Sequence, residues 1–321
     1  MIRDLFPGYF GFVMATEILS IGAYFLEFFL LSKVLLYVGL AGYIILIILF
    51  SCRLGMFPRR VLEDMVHPQR VFFYFTFVAG TDNLATRFLL NGNYFPASVL
   101  GMVGLCSAII LVYFILSVLI FHNKLSLHKS INASWLFMTV GCQSVVIILS
   151  QLFQKEMLIH HFWIILAQTI WIFGLIVYVI FFVYILNHLF FKSFSGKDFS
   201  PVYWISMGAM AITIVASDGL KTINPFISGM AIVLWGWATA LIPLLILSEA
   251  IKYWVFKEPV KYQPALWSMV FPMGMYTVAT YIISRNPGFE ILVKCLPIFF
   301  FIAIFFWIMT SLGLVIKTIR S

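Results

Sequence analysis

The sequence has 321 residues, of which 63% are hydrophobic, 18% aromatic and only 10% charged. A soluble globular domain carries roughly 25% charged and 45–50% apolar residues, so this composition excludes a water-soluble fold and indicates a chain embedded in lipid. The net charge of +8 does not indicate nucleic-acid binding, because the basic residues lie in short gaps between apolar runs. Residues 1–321 are predicted to form a single transmembrane domain without a cleavable signal peptide.

Ten apolar runs follow one another along the chain, and each is long enough to cross a bilayer at roughly 20 residues per helix. They predict an all-α polytopic membrane protein. The predicted spans are 8–29, 33–53, 71–90, 96–121, 131–153, 157–187, 201–220, 225–251, 264–284 and 291–316.

The distribution of Lys and Arg predicts the orientation of these spans. With ten spans, both termini and the gaps after the even spans lie on one side of the membrane. That side holds 14 of the 20 Lys and Arg residues, and the other side holds 6. Because cytoplasmic loops carry the excess of basic residues, we expect a multi-pass protein of the inner or plasma membrane with both termini in the cytoplasm.

An aromatic residue recurs near the start of each odd span, followed by small and polar residues. The intervals between successive anchors are 64, 61, 69 and 63 residues. Self-similarity at a fixed period is typical of repeated supersecondary units, so we predict five helical hairpins of about 64 residues. The anchors are Phe10, Tyr74, Trp135, Trp204 and Trp267.

The odd and even spans differ in composition. The even spans are dense in Leu, Ile, Val and Phe, as in YIILIILF and FFFIAIFFWIM, whereas the odd spans hold most of the small and polar residues. Small residues let helices pack closely, and polar groups inside a membrane turn away from lipid. We therefore predict that the odd spans form an inner ring around a central pore and the even spans an outer ring.

The stretches PGYFGFVMAT from Pro7, FTFVAGT from Phe75, NASW from Asn132, YWISMGAMAIT from Tyr203 and PALWSMVFPMGMYTVAT from Pro264 resemble the tellurite-resistance/dicarboxylate transporter family. That family includes the plant guard-cell slow anion channels, their bacterial homologues, and yeast malate and sulfite transporters. The resemblance implies ten helices in five hairpins, a pore in each subunit and a homotrimer. It also implies that a phenylalanine on the ninth span gates the pore, and that motif falls on Phe271.

The residue types of Phe271 and Pro272 also favour a gate independently of the family resemblance. A proline inside a helix removes one backbone hydrogen bond and kinks the helix, which would narrow the pore beside a bulky ring. Ser268, Phe271 and Met275 share one helical face. The alternative is a core phenylalanine next to an ordinary membrane proline.

Polar residues recur at one depth in the first three odd spans. Glu17, Asp82 and Gln143 lie seven or eight residues after their anchors, and a charge near the bilayer centre usually faces a cavity or a partner. Glu17 departs from the resemblance, which implies a small residue there. Three interpretations stay open: a protonated Glu17–Asp82 pair that couples transport to protons, a structural bridge from either acid to Arg87, or Glu17 in a crevice between helices with a hydrogen-bond partner.

Further candidates complete the predicted pathway. Arg87, near the outer mouth, is predicted to attract anions; the alternatives are interfacial placement or an Arg87–Asp218 pair. The other pore-lining candidates are small or polar residues of the odd spans, together with Met275: Ser20, Gly80, Asn83, Thr139, Ser206, Thr213, Ser268 and Met275.

Catalysis and metal binding are not predicted. The six histidines, His128 among them, lie near helix ends, the four cysteines lie within or at the ends of apolar runs, and no nucleophile–base constellation is visible. We therefore expect no cofactor and no metal, and partners limited to anions, membrane lipid and further copies of the chain. The leading hypothesis is a channel or transporter for small inorganic or organic anions. The alternatives are a proton-coupled carrier of a dicarboxylate, sulfite or tellurite-type anion, and more remotely a membrane enzyme or a receptor.

Overall fold

The computed structural model describes residues 2–122, 131–191, 200–221, 224–259 and 261–320. Within these ranges the regular elements are all helices, which confirms the predicted all-α class. Five residues on which the orientation and histidine arguments drew lie outside the described residues: Lys124, Lys129, His128, Lys192 and Lys197.

Eleven α-helices occupy the described ranges, and one lies at each of the ten predicted spans. The eleventh, α3, is a short polar helix that was not predicted. The helices are α1 Gly11–Phe25, α2 Phe29–Met56, α3 Pro58–Val66, α4 Phe75–Leu90, α5 Tyr94–Ser117, α6 Phe137–Gln154, α7 Phe162–Phe191, α8 Ile205–Asp218, α9 Pro225–Ala250, α10 Trp267–Ser284 and α11 Leu296–Arg320.

Eight of these helices, with their adjoining turns, are long and apolar enough to cross a membrane. They are all of the helices except α3, α4 and α8. α4 and α8 have only 16 and 14 residues and carry charged residues near their C-terminal ends. The count of ten membrane spans therefore stays a prediction.

The ring helices α1, α4, α6, α8 and α10 pack against one another in a closed circle, since each contacts the next and α10 contacts α1. Each remaining long helix packs against the ring helix that precedes it in the chain, which gives five hairpins. In α1, α6 and α10, 78–89% of the span is buried, against 17–33% in the outer helices. The predicted inner and outer rings are thus confirmed.

Small residues allow the ring to close. A glycine stands at each of the five contacts between neighbouring ring helices, where a Cβ atom would meet the adjacent helix within 3.5 Å. This is the packing device expected in lipid, where van der Waals contact rather than hydrophobic burial holds helices together. The five are Gly80 toward α1, Gly141 toward α4, Gly219 toward α6, Gly208 toward α10 and Gly274 toward α1.

A 3₁₀ turn opens every ring helix, and these five turns also contact one another in a closed circle. The aromatic anchors of the sequence repeat lie in these turns or directly after them. The repeat therefore marks one end of the ring. The turns are Pro7–Phe10, Val71–Tyr74, Ala133–Leu136, Pro201–Trp204 and Pro264–Leu266.

Both ends of the described chain lie at this same end of the bundle. Arg53 Nε at the end of α2 donates to the Arg3 carbonyl at 3.1 Å. Near the other end, Lys317 Nζ lies 5.6 Å from the ring centre of Tyr262, just before the last 3₁₀ turn. An even number of crossings produces this arrangement, and its cytoplasmic placement stays a prediction.

Candidate functional site

A cavity of about 90 Å³ lies at the end of the ring opposite the 3₁₀ turns. All five ring helices contribute to its wall, so it lies on the axis of the ring; we call it the vestibule. Its apolar lining includes Ile21, Ile147, Val215 and Val278. Its polar lining consists of Asn83, Thr86, Ser150, Gln151, Gln154, Asp218, Tyr281 and Arg285.

The polar groups of the vestibule wall differ in whether they have a hydrogen-bond partner within the protein. Asn83 Nδ2 donates to the Met14 carbonyl at 3.1 Å, which fixes its amide at the wall. Thr86 Oγ1 and Gln151 Oε1 are buried and have no hydrogen-bond partner within the described chain. A buried polar group without a partner costs free energy unless a solvent molecule or solute satisfies it. The wall is therefore suited to a small polar or charged occupant.

Three charged side chains cluster at the mouth of the vestibule. Lys221 Nζ lies 2.6 Å from Asp218 Oδ1, whereas Arg285 Nη1 lies 3.6 Å from Asp218 Oδ2. Two cations and one carboxylate leave a net charge of +1 at the mouth. Arg285 is the more exposed cation, at 54% of its side chain.

Phe271 lies on the same stripe of α10 as the vestibule wall. Phe271, Val278 and Arg285 follow one another at seven-residue spacing, and a helix drifts only about 20° per seven residues. Phe271 therefore lies two turns below Val278, where it is fully buried. In the other four ring helices, the residue seven positions before a lining residue is also buried, and most of these residues are small. Seven residues before Ile21, Thr86, Ile147 and Val215 lie Met14, Ala79, Val140 and Gly208.

Glu17, Asp82 and Gln143, the three polar residues at matched depth, point away from the ring axis. Each reaches across its hairpin to a glycine of the outer helix, at a place where a Cβ atom would overlap the polar side chain. The pairs are Glu17 with Gly39 of α2, Asp82 with Gly104 of α5, and Gln143 with Gly174 of α7. Glu17 thus lies in the crevice between α1 and α2, but without, among the described residues, the hydrogen-bond partner that the third interpretation expected.

These three side chains differ in how well they are satisfied. Gln143 Nε2 donates to the Trp171 carbonyl at 3.0 Å, and Asp82 Oδ2 accepts from Ser144 Oγ at 2.7 Å. Neither carboxyl oxygen of Glu17 has a hydrogen-bond partner in the described chain, and Asp82 Oδ1 also lacks one.

Of the eleven predicted pore-lining residues, Asn83 is the one in the vestibule wall. Ser20 Oγ donates to the Ser32 carbonyl of α2 at 2.7 Å. Several others face helix contacts or their own backbone. Thr139 Oγ1 donates to the Gly174 carbonyl, Gly80 faces α1, and Ser206 and Thr213 donate within their own chain segment. Ser268 and Met275 are buried in α10.

Arg87 is buried in the wedge between α1, α2 and α4. Its guanidinium donates to Ser20 Oγ at 2.9 Å, Ser32 Oγ at 2.8 Å and Asn91 Oδ1 at 2.7 Å, and lies 4.9 Å from the Tyr24 ring centre. It is absent from the vestibule wall. Asp218, its alternative predicted partner, pairs with Lys221 and Arg285 instead, so these two residues, and not Arg87, supply the cations at the mouth.

Sequence reasoning missed most of the vestibule wall, including Thr86, Ser150, Gln151, Tyr281 and Arg285. It sought polar residues at the middle of each ring helix, seven or eight residues after the anchor. The lining lies further on: Thr86 and Ile147 follow their anchors by 12 residues, and Val215 and Val278 by 11. A signal was available in part of the repeat, as polar residues in the second half of the third and fifth spans: Asn83, Thr86, Ser150 and Gln151.

Metal-ligating side chains in the described residues are dispersed rather than clustered. In the part of the chain that the structure describes, no three His, Cys, Asp or Glu side chains are grouped to hold an ion. The four cysteines are unpaired.

Comparison with known proteins agrees with this geometry. Residues 4–316 match the SLAC1 family, which is described as voltage-dependent anion channels. Two uncharacterized transporters of Methanocaldococcus jannaschii are each 23% identical, over 100% and 97% of this chain and 95% and 92% of their own. An uncharacterized membrane protein of Mycobacterium tuberculosis is 38% identical over 26% of this chain, and the match spans 47% of that relative. The chain belongs to the voltage-dependent anion channel family.

Proposed function

We propose that this protein conducts or transports small anions along the axis of the five-helix ring, and that Phe271 closes the path. One observation carries the proposal: all five ring helices build the vestibule, and the α10 stripe that lines it continues down to Phe271. A path on the ring axis is the only route that uses all five repeats equivalently.

The residues around Phe271 favour a gate at this level. Its neighbours at the same depth include Ala79, Val140 and Gly208, so much of the closure depends on the phenyl ring. Pro272 packs toward Gly208, where a Cβ atom would lie 2.7 Å from Pro272 Cγ. This close contact sets the spacing of α8 and α10 next to Phe271.

Charge at the mouth favours anions as the cargo. Lys221, Asp218 and Arg285 sum to +1, and a cleft with one sign of charge raises the local concentration of the opposite ion. Hydroxyl and amide groups further in can replace part of an anion's hydration shell, which is how selective pores lower the cost of entry.

The test replaces Phe271 with alanine and uses Phe300→Ala as its matched control. Both residues are fully buried, but Phe300 belongs to the outer helix α11 and packs toward Gly22 of α1. We expect Phe271→Ala to raise anion current in planar bilayers. Phe300→Ala should lower the melting temperature in detergent, since Phe→Ala in a core costs about 3–5 kcal/mol, without raising current. A destabilised Phe271→Ala protein with no gain in current would contradict the gate.

A second candidate is a proton-coupled carrier for a dicarboxylate, sulfite or tellurite-type anion. The observation that favours it is the pair of buried acids, because three of the four carboxyl oxygens of Glu17 and Asp82 have no hydrogen-bond partner in the described chain. The isosteric variants Glu17→Gln and Asp82→Asn distinguish the two candidates. A carrier that uses these acids loses the pH dependence of uptake in one of the variants, whereas a channel keeps its wild-type profile in both.

The wider setting follows from the apolar outer helices. We propose a multi-pass protein of the cell membrane with ten spans, cytoplasmic termini and no enzymatic activity, which assembles as a homotrimer with a pore in each subunit. The exposed Phe, Ile, Leu and Val side chains of α2, α5, α7, α9 and α11 support contact with lipid and with further copies of the chain.

A further inference from the structure

Asp218 at the vestibule mouth contacts its two cationic neighbours at different distances. Asp218 is held by Lys221 at 2.6 Å and faces Arg285 at 3.6 Å. A separation of 2.6 Å is a close charge-assisted contact, whereas 3.6 Å is beyond hydrogen-bond range. Lys221 therefore holds the carboxylate through Oδ1, and Arg285 makes no hydrogen bond to Oδ2, so the donors of Arg285 stay available.

The three charged residues at the mouth also differ in whether they line the cavity. Arg285 and Asp218 belong to the vestibule wall, and Lys221 does not. An anion in the vestibule meets Arg285 directly and competes for it with Asp218. Lys221 can act on that anion only by its charge at a distance or through its hold on Asp218.

We propose that Arg285 is the anion-recognition residue of the vestibule, that Asp218 is its built-in competitor, and that Lys221 sets anion affinity by drawing Asp218 away from Arg285. This assignment rests on the proposed anion function and adds the residues that set its affinity. Thr86 Oγ1, which is buried without a hydrogen-bond partner in the described wall, can donate its hydroxyl proton to the same anion.

The proposal predicts an order of anion affinities. Asp218→Asn removes the competitor, so affinity rises; Arg285→Gln removes the binding cation, so affinity falls by about tenfold or more, the worth of a hydrogen bond to a charged group. Arg285→Lys retains the charge and restores part of the affinity. Lys221→Gln frees Asp218 to bind Arg285, so affinity falls by about twofold to fivefold, the range of an exposed ion pair.

A double-mutant cycle distinguishes an effect of Lys221 that passes through Asp218 from a direct electrostatic effect of Lys221 on the anion. If Lys221 acts only by its positive charge, Lys221→Gln weakens anion binding equally in the wild type and in the Asp218→Asn background. If it acts through Asp218, the effect of Lys221→Gln disappears in that background. The variant with both substitutions has the same net charge at the mouth as the wild type, yet we expect it to bind anions more tightly.

The experiment measures nitrate affinity by thermal stabilisation of the purified protein, with gluconate at equal ionic strength as the control. Nitrate uptake into proteoliposomes is measured in parallel. The expected order of affinity is Asp218→Asn above wild type, wild type above Lys221→Gln, and Arg285→Gln lowest, with all melting temperatures in gluconate close to wild type. An additive cycle, or no change in Arg285→Gln, overturns the proposal.

The two readouts keep this proposal distinct from the proposed function. Nitrate uptake with unchanged affinities across the variants would leave the transport function standing and remove Arg285 from recognition. If the wild type binds nitrate through Arg285 but does not take it up, the recognition role of Arg285 stands and the transport function is refuted. Neither binding nor uptake would refute both.

Discussion

At the scale of single residues, the three polar side chains at matched depth, Glu17, Asp82 and Gln143, are accommodated by glycines of the outer helices rather than by the vestibule. Asp82 reaches into the space above Gly104 and is held there by Ser144. The first and third hairpins repeat the contact with a glycine. The repeat gave the depth of these side chains correctly. It could not give the direction in which they point, because one residue along a helix rotates the side chain by about 100°, and small residues flank them on several sides.

Gly104→Ala should therefore destabilise the protein. The added methyl group would overlap the Asp82 carboxyl and force it from its bond to Ser144, and overpacking of this kind costs about 1–3 kcal/mol. The control is Gly236→Ala in the outer helix α9, where nothing lies within 4 Å of the new Cβ. Thermal melting in detergent should drop for Gly104→Ala alone. Equal melting temperatures for the two variants would mean that Asp82 repacks freely.

At the scale of elements, the long helices were predictable and α3 was not. Runs of about 20 apolar residues identify membrane helices from composition alone. α3 has nine residues of mixed polarity, too short and too charged for such a signal. It is held by Asp64, which bonds Arg53 Nη2 at 2.7 Å and Arg70 Nη1 at 2.6 Å. These bonds connect three elements that are separate in the sequence.

Removal of this buried carboxylate should loosen the 3₁₀ end of the bundle. Asp64 and Arg53 are almost fully buried, and removal of one partner of a buried ion pair costs about 3–5 kcal/mol. Asp64→Ala should therefore melt well below the wild type. Its neighbour provides the control, since Glu63 pairs with Arg60 on the exposed surface, where such pairs are worth about 0–1 kcal/mol. Similar losses for Asp64→Ala and Glu63→Ala would show that the cluster contributes little.

At the scale of the whole molecule, five hairpins close into two concentric rings, with a vestibule at one end and a circle of 3₁₀ turns at the other. The period of the aromatic anchors and the contrast between odd and even spans were sufficient to predict the two rings. The vestibule was not predicted, because its wall combines residues from five helices whose rotations depend on one another. Its charged mouth depends on Asp218, which the sequence analysis named only as a possible partner of Arg87, and on Arg285, which it did not single out.

The topology makes a prediction at this scale. Single cysteines placed at Lys155 and Lys294 should react with a membrane-impermeant thiol reagent added outside intact cells. Cysteines at Arg59 and Lys261 should react only after the cells are opened. All four positions are exposed, so accessibility on the two sides of the membrane is what the labelling reports. Any position labelled from the opposite side contradicts the ten-span arrangement, in which α4 and α8 both cross.

The central claim is that anions pass along the axis of the five-helix ring. The most direct test is block of current by a charged thiol reagent at Val278, which lines the vestibule above Phe271. The measurement uses Phe271→Ala protein in which the four native cysteines are replaced by alanine. Its control is a cysteine at Val233, an exposed position on the outer helix α9.

Reagent added from the vestibule side should abolish anion current in the Val278→Cys protein and leave the Val233→Cys current unchanged. An undiminished current after complete labelling of Val278→Cys would show that anions take another route.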